Sequence, residues 1–270
     1  MKKFISFMMV IAVCMGLLCG CGKKTGSSDY EYITDNGKMV IGITIYSPIN
    51  YYADEDSKEL IGFDTEFAKA VCSRLNVEPS FQVIDWKMKE TELKAKNIDC
   101  IWNGLTVTEE RKADMDFTKT YLLNKQCVVI NKANADKFST TAGLAPALIS
   151  AESGSAGETA ILSDDNLKKA KYTASDSQQA ALLGLVAGNY DAVVIDYTMA
   201  KASVGQGDYA DFIIVDSVEL VNEEYAVGFR VGSDMTAKVN AVIDELINDG
   251  TLAKIAAKYD LTEPYEEAVK

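Results

Sequence analysis

The stretch Asp-Cys-Ile-Trp-Asn-Gly-Leu-Thr-Val-Thr-Glu-Glu-Arg, residues 99–111, gathers the groups of this chain best suited to hold a small anion. It reads as a buried strand (Cys100, Ile101, Trp102), a polar turn at Asn103–Gly104, and a helix start capped by Thr108. That order brings the Gly104 carbonyl, the Thr106 hydroxyl and the Arg111 guanidinium into one loop. An arginine at a strand-to-helix junction can grip a carboxylate through two parallel N–H donors, which a lysine ammonium cannot. On its own the pattern fits a surface arginine in an amphipathic first turn better. Two further segments answer it. Glu152-Ser-Gly-Ser-Ala-Gly-Glu158 is a glycine-rich turn before a helix, and Asp191-Ala-Val-Val-Ile-Asp196 is an apolar run that ends on an acid.

The elements needed to position these groups alternate along the chain. Met39–Tyr46, Ser80–Ile84 and Asp99–Trp102 read as strands, separated by helical patterns over Gly62–Leu75 and Lys87–Lys96. Phe63, Phe67, Ala70 and Val71 fall on one face of the first helix. A second βαβ series follows: strands at Gln126–Asn131, Leu148–Ala151, Lys171–Thr173 and Asp191–Asp196, with helices through Ile161 and over Gln178–Gly188. Phe212–Val215 and Tyr225–Val231 read as further strands. Two helices, Met235–Asn248 and Leu252–Tyr259, are expected to end the fold before Pro264. This is an α/β chain with mainly parallel pairing. Ligands of such sheets sit beyond the carboxyl ends of the strands. Facing the two edges toward one another makes a cleft with Arg111 on one side and Asp196 on the other, a cation and an anion that complement a free amino acid.

Composition removes several function classes. The 270-residue chain has no histidine and a formal net charge of −13, so Ser-His-Asp and Cys-His catalysis and histidine metal sites are excluded. The acidity also argues against nucleic acid as a partner. Cys72, Cys100 and Cys127 match no zinc or redox spacing and fit buried small hydrophobes. No Walker A loop is present, and the reading calls for no cofactor. At the start, Lys2 and Lys3 precede an apolar stretch, Phe4 to Leu18, short for a membrane span. Leu18-Cys19-Gly20-Cys21 resembles a bacterial lipobox. Residues 1–20 are therefore expected to be a leader, Cys21 the lipidated residue, and residues 21–37 a flexible tether that holds the protein on the extracytoplasmic face of the cell membrane.

Taken in order, Gly62-Phe63-Asp64, Leu93–Asp99, Gly104–Arg111, Asp116-Phe-Thr-Lys-Thr-Tyr121, Gly154–Glu158 and Asp191–Asp196 resemble the polar amino-acid group of ABC-importer solute-binding proteins, over about residues 38–260. The resemblance implies a two-lobed, periplasmic-binding-protein-like fold of type II, with two hinge strands near Asn124–Val129 and Asn222–Ala226. One lobe would comprise 38–125 with 224–270, the other 126–223. It implies that Arg111, Ser155 and the amide of Ala156 take the ligand carboxylate, and that Asp196, the carbonyl of Gly104 and Thr106 take the ammonium. Tyr46, Trp86, Asn103 and Leu105 would form the side-chain pocket, with Thr44 nearby, suiting a polar side chain. The partners implied are a free amino acid and membrane permease subunits, with the chain a monomer.

Bland readings stand beside these. Trp86 can pack under its helix, Tyr51 or Tyr52 can replace Tyr46, Asp196 can cap the next helix, and Trp102 suits the core. Ala156 departs from the family, many of whose members carry a hydroxyl there. A ligand-reporting sensor is one alternative. A small-acid dehydratase on the same fold is another, with Glu158 or Asp85 as its proton carrier.

Overall fold

The computed structural model describes residues 28–270 apart from residue 55. The leader and the lipidation site at Cys21 fall outside the described residues.

The chain runs through α1 (Asp29–Asn36), β1 (Lys38–Ile43), β2 (Tyr51–Tyr52), β3 (Leu60–Ile61), α2 (Phe63–Leu75), β4 (Glu78–Val83), α3 (Lys89–Lys94), β5 (Cys100–Ile101), α4 (Glu109–Lys112), β6 (Met115–Phe117) and the long β7 (Leu122–Asn131). It continues with α5 (Thr141–Leu144), β8 (Leu148–Glu152), α6 (Ala156–Ser163), β9 (Lys171–Ser175), α7 (Gln178–Val186), β10 (Ala192–Asp196), α8 (Tyr197–Ser203) and β11 (Phe212–Ile214). β12 (Asn222–Tyr225), β13 (Gly228–Arg230), α9 (Met235–Asn248), α10 (Thr251–Lys258) and α11 (Thr262–Ala268) complete it.

Two mixed sheets result. The first is ordered β4-β1-β5-β13-β6, parallel from β4 to β5 and antiparallel where β13 inserts. The second is ordered β11-β7-β10-β8-β9, with β10-β8-β9 parallel. Residues of the second sheet alternate strictly. Val129, Val193 and Ile195 join the cluster that holds Ala181, Leu182 and Leu185 of α7. Val128, Ile130, Ala192 and Val194 join the one that holds Ile161 of α6. Burial of both faces is the reason these strands read as unbroken apolar runs. Strands β7 and β12 link the lobes, pairing antiparallel from Leu122↔Tyr225 to Lys125↔Asn222.

In the first lobe α2 buries Phe63, Phe67 and Val71, one helical face, and packs against α9 and α10. The Phe67 ring meets Trp102 edge-on at 4.8 Å and Tyr121 at 5.3 Å, so Trp102 belongs to the core. Cys72, Cys100 and Cys127 are free and buried, and burial pushes the Cys72 thiol up to about 12.

Three expectations need correction. Residues 29–36 are not part of a flexible tether. Ser28 caps α1 by accepting from the Glu31 amide, Gly37 closes it at φ 67°, and Asp29 accepts from Arg230 Nε at 2.9 Å. The fold does not end before Pro264 either. That proline sits in the first turn of α11, where a missing N–H costs nothing. Tyr225–Val231 is two strands, because the chain passes there from the β7 pairing into the first sheet.

Phe67→Ala is expected to lower the unfolding free energy by about 3–5 kcal/mol, whereas exposed Val231→Ala stays within about 0.5 kcal/mol. Denaturant titration of both variants measures this.

Candidate functional site

Arg111 reaches the cleft because Thr108 caps α4, its hydroxyl accepting from the Arg111 amide at 3.1 Å. The guanidinium donates through Nη1 to the Thr106 carbonyl at 2.8 Å and through Nη2 to the Gly154 carbonyl at 3.2 Å. The second bond crosses from the first lobe to the second. Lys89 Nζ donates to the same carbonyl at 3.1 Å, so two cations of one lobe hold one carbonyl of the other. Burial lowers the pKa of both. A Cβ on Gly154, whose φ is 74°, would lie 2.9 Å from Lys87 Cα, so the lobes touch at this point.

Around Arg111 the cleft is lined by Trp86, Asn103, Gly104, Thr106, Glu152, Ser155, Ala156, Gln178 and Asp196. Ser155 caps α6, accepting from the Glu158 amide at 3.1 Å. The amides of Ala156 and Gly157, first in that helix, have no intrahelical acceptor and face a site suited to an anion. Asp196 closes β10 and makes no capping bond to α8. Its Oδ1 accepts from Gln126 Nε2 at 2.5 Å and its Oδ2 from Gln178 Nε2 at 2.7 Å. Burial raises its carboxyl, while the amides of Gln178 and Gln126 pull the other way.

The Gly104 amide donates to buried Asp64 Oδ2 at 2.7 Å, and the Tyr121 hydroxyl donates to the same oxygen at 2.8 Å. Three sequence motifs thereby meet on one carboxyl, which burial raises to about 7. Gly104 has φ 57°, and a Cβ there would lie 2.3 Å from the Tyr46 hydroxyl oxygen.

Not every expected residue faces the cleft. Leu105 is fully buried in the cluster with Ile101 and Met115, because it points away from a loop whose neighbours Gly104 and Thr106 point in. Tyr46 is buried beneath the loop; its hydroxyl donates to the Asn103 carbonyl at 3.4 Å and lies beside the Asp196 carboxyl of the cleft. Asn103 lines the cleft, yet its amide serves the first lobe: Oδ1 accepts from the Thr44 and Asn50 donors, and Nδ2 donates to Thr44 Oγ1. Trp86 both packs in that apolar cluster and lines the cleft. Glu158 accepts from Tyr172 and from the Gly154 amide, while Asp85 caps its own turn, so both are engaged locally.

Sequence reasoning assigned no role to Glu152, Gln178, Gln126 or Glu223. Glu223 Oε1 accepts from Thr106 Oγ1 at 3.1 Å, and Oε2 accepts from Asn124 Nδ2 at 2.6 Å and Gln126 Nε2 at 2.9 Å. Burial and the neighbouring Asp196 raise it to about 7, and burial raises Glu152 to about 8. Glu152 closes the apolar run of β8 as Asp196 closes β10, a signal that was readable. The Gln126–Glu223 contact joins segments 97 residues apart and had none.

Residues 39–262 match the family model described as bacterial extracellular solute-binding proteins, family 3. A probable amino-acid-binding protein of Bacillus subtilis, YxeM, is 28% identical over 96% of this chain and 95% of its own. The arginine-binding extracellular protein ArtP of the same organism is 25% identical over 96% and 98%. The structure of an amino acid ABC transporter substrate-binding protein from Streptococcus pneumoniae bound to L-arginine superposes with a TM-score of 0.78 at 27% identity, covering 86% of this chain and 98% of that one.

A carboxyl with a native pKa above its unfolded value keeps a proton that the unfolded chain has released, so stability falls as pH rises between the two. For Asp64, Glu152 and Glu223 that window runs from about 4 to about 7 or 8. Glu223→Gln keeps acceptors for Asn124 and Gln126 and turns a donor toward the Thr106 hydroxyl. It is expected to flatten the loss of stability between about pH 5 and 7 by up to about 1.4 kcal/mol per pH unit. Denaturant unfolding across that range reads the slope.

Proposed function

Since this chain belongs to family 3 of the bacterial extracellular solute-binding proteins, we propose that it captures a free L-amino acid between its lobes and delivers it to an ABC importer permease. The observation that carries this reading is the opposition of Arg111, on the first lobe, to Asp196 and the start of α6, on the second. Carboxylate and ammonium are the two features every free amino acid shares, and each meets its complement here. The carboxylate lies between the guanidinium and the amide of Ala156, with Ser155 beside it. The ammonium donates to Asp196, the Thr106 hydroxyl and the Gly104 carbonyl, while Trp86 walls the side chain. The names of the relatives, which bind amino acids, support the ligand class.

On this reading the lobes are residues 38–125 with 224–270 and residues 126–223, turning about β7 and β12. A ligand that touches both lobes binds the closed form better than the open one and draws the hinge shut. The permease then recognises the closed form. Cys21, acylated after removal of residues 1–20, holds the monomer at the outer face of the membrane.

Arg111→Ala is expected to weaken binding of the cognate amino acid by roughly 100-fold or more, with the unfolding transition retained. Calorimetry of wild type and variant against the twenty amino acids measures it, and equal affinities would overturn the role of Arg111. Cys21→Ala is expected to move the protein from the membrane fraction to the medium or periplasm, which fractionation of expressing cells reads directly.

A further inference from the structure

Glu152 is the one ionisable group lining the cleft whose bonding the rest of the site does not complete, among the described residues. It ends β8, is 2% exposed, and faces the same space as Arg111, Trp86 and Asp196. Its buried Oε1 has no hydrogen-bond partner. Neither nearby cation bonds to Glu152 among the described residues. Lys89 Nζ points its donors to the Gly154 carbonyl, the Trp86 carbonyl and Glu90 Oε1. Arg111 donates to the Thr106 and Gly154 carbonyls and keeps its remaining N–H donors for the ligand carboxylate. Asp196, by contrast, has a glutamine amide on each oxygen.

A zwitterion placed between Arg111 and Asp196 has both of its charges answered and leaves Glu152 unanswered. An unpaired buried carboxyl is costly, and a ligand that supplies donors and positive charge removes that cost. Trp86, whose ring already carries the Lys89 ammonium 5.0 Å from its centroid, walls the space beside Glu152. Resting on the amino-acid reading of this cleft, we propose that Glu152 selects ligands with a cationic side chain, its carboxylate accepting from the guanidinium or ammonium at the side-chain end. Glu152 is then the specificity residue, while Arg111 and Asp196 hold what all amino acids share.

The test uses purified protein and calorimetry with arginine, lysine, citrulline, glutamine and glutamate. Citrulline keeps the length and shape of arginine without its charge. Wild type is expected to prefer arginine or lysine over citrulline and glutamine by roughly 100-fold. Glu152→Gln is expected to lose most of that preference with its unfolding transition retained and with affinity for the neutral amino acids unchanged or improved. Glu152→Asp is expected to restore part of it. Citrulline, glutamine or glutamate binding wild type as tightly as the cations would overturn the role of Glu152, as would a preference that survives in Glu152→Gln. If such a neutral or acidic ligand is lost in Arg111→Ala, the amino-acid reading stands and only the Glu152 assignment falls. If none of the twenty amino acids binds, both fall.

Discussion

One amide group ties this molecule together. Gln126 Nε2 donates to Asp196 in the cleft and to Glu223 on a linking strand. The sharing follows from register. Gln126 is the residue at which β7 leaves its pairing with β12, which ends at Lys125↔Asn222, and begins its pairing with β10 at Asp196. The strand that links the lobes therefore carries, at its transition point, the side chain that orients the cleft's acid. Glu223 extends the connection to the first lobe through Thr106 and to the hinge through Asn124, which also accepts from the Thr198 amide. The linking strand and the cleft's acid therefore share one donor. On the amino-acid reading, an ammonium bonded to Asp196 would relieve its repulsion with Glu223.

Buried carboxyls are the expense of this arrangement. Asp64, Glu152, Asp196 and Glu223 all lie below a tenth exposure, and burial raises each of their pKa values. Apolar residues of similar size would make a more stable core. What the acids give is position. Asp64 shows it most plainly: it is fixed at the start of α2 and accepts from the Gly104 amide and the Tyr121 hydroxyl, so the loop that presents Thr106 cannot drift from the helix behind it. Asn103 does the same work on the other side, bonded to Thr44 and Asn50. A loop held at both flanks keeps its carbonyl and hydroxyl in place, and a preorganised site loses less entropy on binding.

The sequence was most legible where function depends on local order. Thr108, the turn at Asn103–Gly104 and the α6 start are short-range patterns with a mechanism, and each lies where its pattern places it. The alternating βα order foreshadowed both sheets, since apolar runs and amphipathic helices have different periods. Legibility failed where two distant segments decide. Leu105 and Thr106 adjoin in sequence yet face opposite ways, and only the pairing of this loop with β12 reveals which faces in. The bond from the Tyr46 hydroxyl to the Asn103 carbonyl joins residues 57 apart and had no signal in the sequence. The helix at Asp29–Asn36 was hidden by polar composition, although Ser28 and Gly37 are ordinary cap residues.

At Gly154 the two lobes touch. This residue immediately precedes Ser155, the cap of α6, and its carbonyl accepts from Arg111 and Lys89 across the cleft. Its left-handed conformation and the nearness of Lys87 leave no space for a side chain. The guanidinium and the helix start are thereby held close by two side-chain donors on one backbone carbonyl. On the amino-acid reading, a carboxylate between them would be shielded from water, where charge interactions are stronger than in solvent. On the same reading this end needs no hydroxyl at position 156, because the Ala156 amide and Arg111 would supply the donors. Discrimination among ligands would then rest on Glu152 and Trp86, which line the same cleft.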